Sequence, residues 1–159
     1  MIHDLSIRNI VTKHLRANPF QRNSQVWISL CLDDIDLESA SGVAQLYHFD
    51  CYNYNFLKIF IYFTDVDEDI GPHCYINHSH KPFPDNFLYV AIQPIPDTPM
   101  IKCLIFAVDN LIELYGLKGT VMLVDTSGFH KGKILSANKH RLLILTEFVD
   151  SISRFGRTI

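Results

Sequence analysis

The sequence has little positive charge and no basic patch. It carries 14 Lys and Arg against 17 Asp and Glu, for a net charge of -3 and a pI near 6.2. The basic residues are scattered along the chain, so no surface with a strong positive field for phosphate backbones is expected. Nucleic acid is therefore not an expected partner.

Long hydrophobic runs are also missing. The longest apolar stretch, residues 56–63, contains Lys58 and is far too short to cross a membrane. The N-terminus, MIHDLSIRN, lacks the apolar segment of a signal peptide. We therefore expect a soluble, cytoplasmic protein with no membrane partner.

Closely spaced cysteines are absent as well. The four cysteines lie 20 or more residues apart and form no CxxC pair. This spacing argues against a zinc site or redox pair and favours buried thiols over disulfides. The four are Cys31, Cys51, Cys74 and Cys103.

What the sequence does have is enough apolar material for one core. Its 159 residues are 48% hydrophobic and 12% aromatic, which predicts a single domain over residues 1–159. Helical spacing predicts an N-terminal helix over 5–15. It also predicts an inserted helix that is capped at Asp97-Thr98, has Pro99 in its first turn, keeps its spacing from Ile101 to Tyr115 and ends at Gly116. Strand patterns cover 24–32, 43–50, 56–66, 74–77, 87–92, 119–124, a short stretch around His130, and 141–148. About eight strands and two helices predict a mainly β fold, an antiparallel jelly roll.

The stretch YHFD, residues 47–50, is the first candidate for chemistry. Alternation along the strand from Val43 places His48 and Asp50 on the same face. His130, in DTSGFHKGK on a late strand, is the best candidate for a third ligand. A cluster of His73, His78 and His80 is an alternative metal site.

Two histidines and one carboxylate are the ligand set of non-haem iron(II) oxygenases. These three ligands leave coordination positions on the metal open for the reactants. If the metal takes a 2-oxo acid, the distal carboxylate of that acid needs a fixed cation. Arg141 follows His130 by 11 residues, and its planar guanidinium can bind a carboxylate through two hydrogen bonds. Asp125 could orient His130, although a role in stabilising the DTSG turn is favoured.

Three motifs in this order carry a resemblance to a known family. HFD, then TDVDEDIGPHCYINHSHK, then GTVMLVDTSGFHKG followed by RLLILTEF together resemble the phytanoyl-CoA dioxygenase family of Fe(II)- and 2-oxoglutarate-dependent oxygenases. The resemblance covers roughly residues 44–149. It implies a double-stranded β-helix core, iron ligands at His48, Asp50 and His130, and a 2-oxoglutarate anchor at Arg141.

The sequence departs from that family at three places. His78-Ser79-His80 stands where members commonly have Gly-Ser-His, and Gly132 stands where some members have a hydroxyl residue that supports the cosubstrate. The N-terminal region, residues 1–40, is short relative to the family.

The function that the resemblance implies is hydroxylation of an aliphatic carbon on a small-molecule substrate, with Fe(II), 2-oxoglutarate as cosubstrate and O2. Related halogenases replace the carboxylate ligand by a small residue, so Asp50 favours hydroxylation. The short N-terminal region motivates an alternative, a truncated, non-catalytic member that acts as a metal-bound binding or interaction module. A cupin-like metalloprotein with another metal is a third interpretation, which gives Arg141 no role.

Overall fold

The computed structural model describes residues 4–31, 44–45, 47–51, 55–80 and 110–150. These residues form one helix and seven strands, all of the strand pairs being antiparallel. The elements are α1 (Leu5–Leu15), β1 (Phe20–Leu30), β2 (Phe56–Tyr62), β3 (His73–Ile76), β4 (Leu111–Leu114), β5 (Val121–Val124), β6 (His130–Gly132) and β7 (His140–Val149).

The strands form two sheets. One has four strands in the order β1-β7-β2-β5, and the other has three in the order β4-β3-β6. Neighbours in a sheet are mostly distant in sequence, so each sheet is assembled from both halves of the chain. The predicted mainly β class is confirmed, and the two antiparallel sheets are consistent with a β-sandwich.

The main core contains side chains from both sheets. Because residues alternate along a strand, Phe60 and Tyr62 of β2 point to the same side as Leu143 and Leu145 of β7. The remaining members are Val66, Met122 and Val124, with Ile70, Tyr75 and Leu114 packed against them.

Helix α1 covers the other face of the four-stranded sheet. The carboxylate of Asp4 caps the helix by accepting hydrogen bonds from the amides of Ser6 (2.9 Å) and Ile7 (3.1 Å). Val11 and Leu15 lie one helical turn apart and are buried in a cluster with Leu57, Ile59 and Phe148. The predicted bounds of this helix, 5–15, are confirmed.

Two leucines of α1 give a matched test of this packing. Leu15 is 2% exposed and Leu5 is 74% exposed. We expect Leu15→Ala to lower the free energy of unfolding by about 2–4 kcal/mol, because the substitution leaves a cavity under the helix. Leu5→Ala should change it by less than about 0.5 kcal/mol. Urea denaturation of both variants checks the difference, and equal effects would contradict the docking of α1.

Several predicted strands are observed with altered bounds. β1 begins at Phe20 rather than Ser24, and β2 ends at Tyr62 rather than Val66. The strand predicted over 43–50 is, in its described part, a single bridge between His48 and His130. The strand predicted over 87–92 lies outside the described residues.

The end of the predicted inserted helix is wrong. Leu111–Leu114 is strand β4, which pairs with β3 from Ile76↔Leu111 to His73↔Leu114. The apolar residues there have helical spacing, but backbone pairing with β3 outweighs that local preference. The rest of the predicted helix, residues 97–109, lies outside the described residues.

The three described cysteines are free thiols, as expected. Only Cys74 is buried, whereas Cys31 is half-buried and Cys51 is exposed, so the expectation of burial is wrong for Cys51. Cys103 lies outside the described residues.

Among the residues whose structure is described, no helix has the length and apolar character needed to cross a membrane.

Candidate metal centre

Backbone pairing brings the two distant motifs together. Residues 44–45 and 47–50 run antiparallel to 126–132: the amide of Gly132 donates to the carbonyl of Ala44 (2.9 Å), and the amide of Asp50 donates to the carbonyl of Thr126 (2.8 Å). Between these contacts, His48 and His130 exchange two backbone hydrogen bonds of 3.0 and 2.9 Å. The two histidines are therefore held side by side.

The side chains of His48, Asp50 and His130 converge at this point. One ligand atom from each lies within 4.8 Å of the other two. Nε2 of His130 is 3.7 Å from Oδ2 of Asp50, and the two imidazole rings are 4.3 Å apart. Asp50 and His130 are buried, and His48 is half-buried. The structure therefore brings together the three residues that the sequence predicts as ligands.

The ring of His130 has a fixed orientation. Its Nδ1 lies 2.9 Å from the carbonyl oxygen of Gly128. Because a carbonyl only accepts, Nδ1 carries the proton in the neutral ring, and the lone pair of Nε2 faces Asp50. Metal-binding histidines commonly have this second hydrogen bond.

Asp125 has the structural role that the sequence favours. Its Oδ1 accepts hydrogen bonds from the amide (3.1 Å) and the hydroxyl (2.6 Å) of Ser127, which stabilise the turn. The alternative, in which Asp125 orients His130, is wrong, since Gly128 provides that contact.

Ser79 and Gly128 support the centre, a role that sequence reasoning assigned to neither. The hydroxyl of Ser79 donates to the carbonyl of Ile76 (2.6 Å) and accepts from the amide of Phe129 (2.7 Å), so it connects the end of β3 to the start of β6. A Cβ on Gly128 would lie 2.7 Å from that hydroxyl and would also overlap Tyr75. Only glycine allows this close approach.

The alternative histidine cluster does not assemble. His73 is buried, whereas His78 and His80 are exposed. Within residues 4–31, 44–45, 47–51, 55–80 and 110–150, the group of His48, Asp50 and His130 is the only set of three potential ligands that meets.

Lys58 is a part of the centre that sequence reasoning missed. Its Nζ reaches from β2 to within 2.5 Å of Oδ2 of Asp50, and both side chains are buried. The available signal was a lysine within an otherwise apolar strand. Burial raises the pKa of Asp50, but the hydrogen bond and charge of Lys58 outweigh burial and hold that pKa below its usual value. Asp50 is therefore ionised at neutral pH.

His73 lies beside the same group. It is 6% exposed, and its ring centroid is 5.4 Å from that of His130 and 4.8 Å from that of Phe60. Burial, and then the neighbouring His130, lower the pKa of His73 well below 6.5. Nε2 of His73 has no hydrogen-bond partner in the part of the chain that the structure describes.

These buried histidines predict a pH dependence of stability. Burial also lowers the pKa of His130, to about 4. As the pH falls through 6.5, histidines of the unfolded chain therefore bind protons, whereas the rings of His73 and His130 in the folded protein stay neutral. The unfolded state then binds more protons, and stability falls as the pH is lowered from 6.5 towards 4.

Denaturant unfolding of the metal-free protein between about pH 7.5 and about pH 4.5 measures this effect. His73→Leu should reduce the slope because it removes one of the two groups. A stability that is constant or that rises on acidification would contradict the prediction.

Arg141 is a buried cation on β7. Nη1 donates to the carbonyl of Gly71, and Nη2 donates to the hydroxyl of Ser29 (3.1 Å). Among the described residues, its Nε has no hydrogen-bond partner and no carboxylate forms an ion pair with its guanidinium. A buried charge without a counter-ion is unfavourable. The site around Arg141 therefore fits an anion.

No family model matches the sequence, and no curated protein matches it. Solved structures do match in three dimensions. EctD from S. alaskensis with bound Fe superposes with a TM-score of 0.67 at 14% identity, over 98% of this chain and 56% of EctD. HygX from Streptomyces hygroscopicus with nickel and 2-oxoglutarate bound gives a TM-score of 0.63 at 14% identity, over 94% of this chain and 63% of HygX.

A third structure is the Ni complex of ThoJ, a non-heme monooxygenase, which gives a TM-score of 0.61 at 12% identity over 98% of this chain and 54% of ThoJ. The chain thus spans between 54% and 63% of the length of these three proteins. At such identities the matches establish a shared fold.

Proposed function

We propose that this protein is an Fe(II)- and 2-oxoglutarate-dependent dioxygenase that hydroxylates an aliphatic carbon of a small-molecule substrate. Two features of the structure together carry the proposal. His48, Asp50 and His130 converge as potential metal ligands. Arg141 is a buried cation that has no carboxylate partner among the described residues. A metal centre and a separate anion site suit a ligand with a chelating end and a distal carboxylate.

The donor set fits iron(II). Two imidazole nitrogens and one carboxylate oxygen leave positions open for a cosubstrate and O2. The hydrogen bond from Nδ1 of His130 to Gly128 orients Nε2 as a donor atom, and the lowered pKa of Asp50 keeps its carboxylate ionised. The carboxylate at position 50 also supports hydroxylation over halogenation.

The anion site fits the distal carboxylate of 2-oxoglutarate. Nε of Arg141, which has no hydrogen-bond partner among the described residues, and an adjacent terminal nitrogen can donate to both oxygens of one carboxylate. With iron and O2 bound, oxidative decarboxylation of 2-oxoglutarate to succinate and CO2 provides the oxidising power. The residues of the chain bind and orient the cosubstrate between the two charged centres.

The strand order supports a narrower proposal about the fold. In a double-stranded β-helix, or jelly roll, strands from both halves of the chain alternate between two facing sheets. The orders β1-β7-β2-β5 and β4-β3-β6, extended by the His48↔His130 bridge, fit that arrangement. The phytanoyl-CoA dioxygenase family stays the proposed relative within this fold.

The matched structures support the same kind of function. EctD binds Fe, HygX binds nickel and 2-oxoglutarate, and ThoJ is a non-heme monooxygenase that binds Ni. Three features together favour an oxygenase: the shared fold, the convergent His-Asp-His group and the anion site. A cupin-like protein with another metal would give Arg141 no role.

One observation favours a second candidate, the non-catalytic binding module. The ammonium of Lys58 contacts Oδ2 of Asp50, the carboxylate that a metal would need. Because this ammonium competes for the carboxylate and adds positive charge beside it, the site suits a module that holds a metal without turning over a cosubstrate.

Anaerobic titration with Fe(II) and 2-oxoglutarate tests the proposed function. We expect a visible charge-transfer band from the chelate and, after O2 is admitted, succinate in proportion to consumed 2-oxoglutarate. A band without succinate would favour the binding module. A folded protein that gives neither band nor succinate would contradict the proposed function.

A further inference from the structure

His73 and Arg141 face the same space between the two sheets. In the antiparallel pair of β3 and β6, Tyr75 lies opposite His130 and His73 lies opposite Gly132. Residues directly opposite each other project to the same face of a sheet. His73 therefore shares the face of the sheet from which His130 projects towards Asp50.

Gly132 leaves room for the guanidinium opposite His73. A Cβ at residue 132 would lie 2.8 Å from Nη2 of Arg141, closer than side-chain atoms normally approach. Arg141 belongs to the four-stranded sheet and Gly132 to the three-stranded sheet, so the guanidinium crosses the space between them. The absent side chain at residue 132 thus lets the guanidinium of Arg141 approach the strand position opposite His73.

Each of these two side chains has a buried nitrogen without an acceptor. Nε2 of His73 and Nε of Arg141 lack hydrogen-bond partners within the described residues. Buried polar atoms are nearly always hydrogen-bonded, because burying one without a partner is unfavourable. An apolar ring would fill the space between Phe60 and His130 equally well without leaving such an atom.

We propose that His73 is a second donor to the distal carboxylate of 2-oxoglutarate and binds it together with Arg141. This inference rests on the proposed function. The tautomer of His73 with the proton on Nε2 donates to one carboxylate oxygen, and Arg141 supplies the opposite charge.

Two 2-oxo acids separate this role from packing. 2-Oxoglutarate has a distal carboxylate, whereas 2-oxopentanoate has the same chelating end and no distal carboxylate. We expect His73→Phe, which keeps a ring beside Phe60, to raise the Kd of 2-oxoglutarate about tenfold or more in the Fe(II)-loaded protein. The Kd of 2-oxopentanoate should change less than about twofold, since that acid lacks the group that His73 binds.

Anaerobic titration of the visible band measures both constants, and the Kd of Fe(II) is measured separately. His73→Gln keeps an amide donor and should recover most of the affinity, and His73→Leu provides a second variant without a donor. His140→Phe, at an exposed histidine next to Arg141 on β7, is the matched control and should change neither Kd.

Unchanged 2-oxoglutarate affinity in His73→Phe and His73→Leu would overturn the inference and leave the proposed function intact. An equal loss for both acids would also overturn it, because packing alone predicts that result. No band in folded wild-type protein would overturn both proposals.

Discussion

Replacing His130 with alanine should abolish tight binding of Fe(II). His130 provides one of three donor atoms, and its Nε2 is already oriented towards Asp50 by the hydrogen bond to Gly128. Loss of a group that only supports a ligand weakens metal binding about 10- to 100-fold, so loss of the ligand itself should raise the Kd by more than about 100-fold. The chelate band with 2-oxoglutarate should disappear at the same time.

Equilibrium dialysis followed by metal analysis measures this loss. His80→Ala is the matched control, because His80 is exposed and lies outside the group. Circular dichroism distinguishes lost binding from lost folding, since the buried His130 ring also packs against His48 and His73. A folded His130→Ala protein that binds Fe(II) as wild type does would remove His130 from the ligand set.

Replacing Lys58 with methionine should have the opposite effect and tighten metal binding. Nζ of Lys58 contacts Oδ2 of Asp50, so a metal has to displace this ammonium and then bind beside its charge. Methionine has a similar length and removes both obstacles. We expect the Kd of Fe(II) to fall about tenfold to a hundredfold, because each 1.4 kcal/mol of removed competition is a factor of about ten.

The same substitution should destabilise the metal-free protein. It leaves the carboxylate of Asp50 buried without its cation, and breaking a buried ion pair costs about 3–5 kcal/mol. Added Fe(II) should restore much of this stability, because it binds only the folded state. Thermal unfolding with and without Fe(II) measures both effects.

Lys139→Met is the matched control for Lys58→Met. Lys139 is exposed, so its substitution removes one positive charge without touching the centre. The free energy of Fe(II) binding and the free energy of unfolding should each change by less than about 0.5 kcal/mol. Weaker metal binding in Lys58→Met would show that Lys58 supports the metal or its cosubstrate and does not compete with it.

The sequence predicts the elements whose signals are local. Helix α1 has a capping aspartate, an apolar stripe and a flanking Asn18-Pro19, and its bounds are those of the prediction. The strands β2, β5 and β7 follow from apolar runs of β-branched and aromatic residues. The helical spacing before Gly116 misleads because β4 is formed by pairing with β3, a contact between distant parts of the chain.

The candidate site likewise contains some residues that the sequence predicts and others that only the structure reveals. Spacing alone suggests His48 with Asp50, and a late strand suggests His130, so these residues could be named in advance. Lys58, a charge inside an apolar strand, was not named, and His73, a histidine beside a turn, was named only as part of the alternative histidine cluster. Their relevance depends on what lies across the space between two sheets.

By itself, therefore, the sequence determined a mainly β chain with α1, the His-x-Asp pair, a third candidate ligand and a candidate anchor. Only the tertiary structure decided that an ammonium contacts Asp50, that Gly132 admits the guanidinium of Arg141, and that His73 lies opposite Gly132 and beside the ring of His130. The physical reason is that strand alternation fixes the face of a residue, whereas sheet pairing and glycine-sized gaps fix its neighbours.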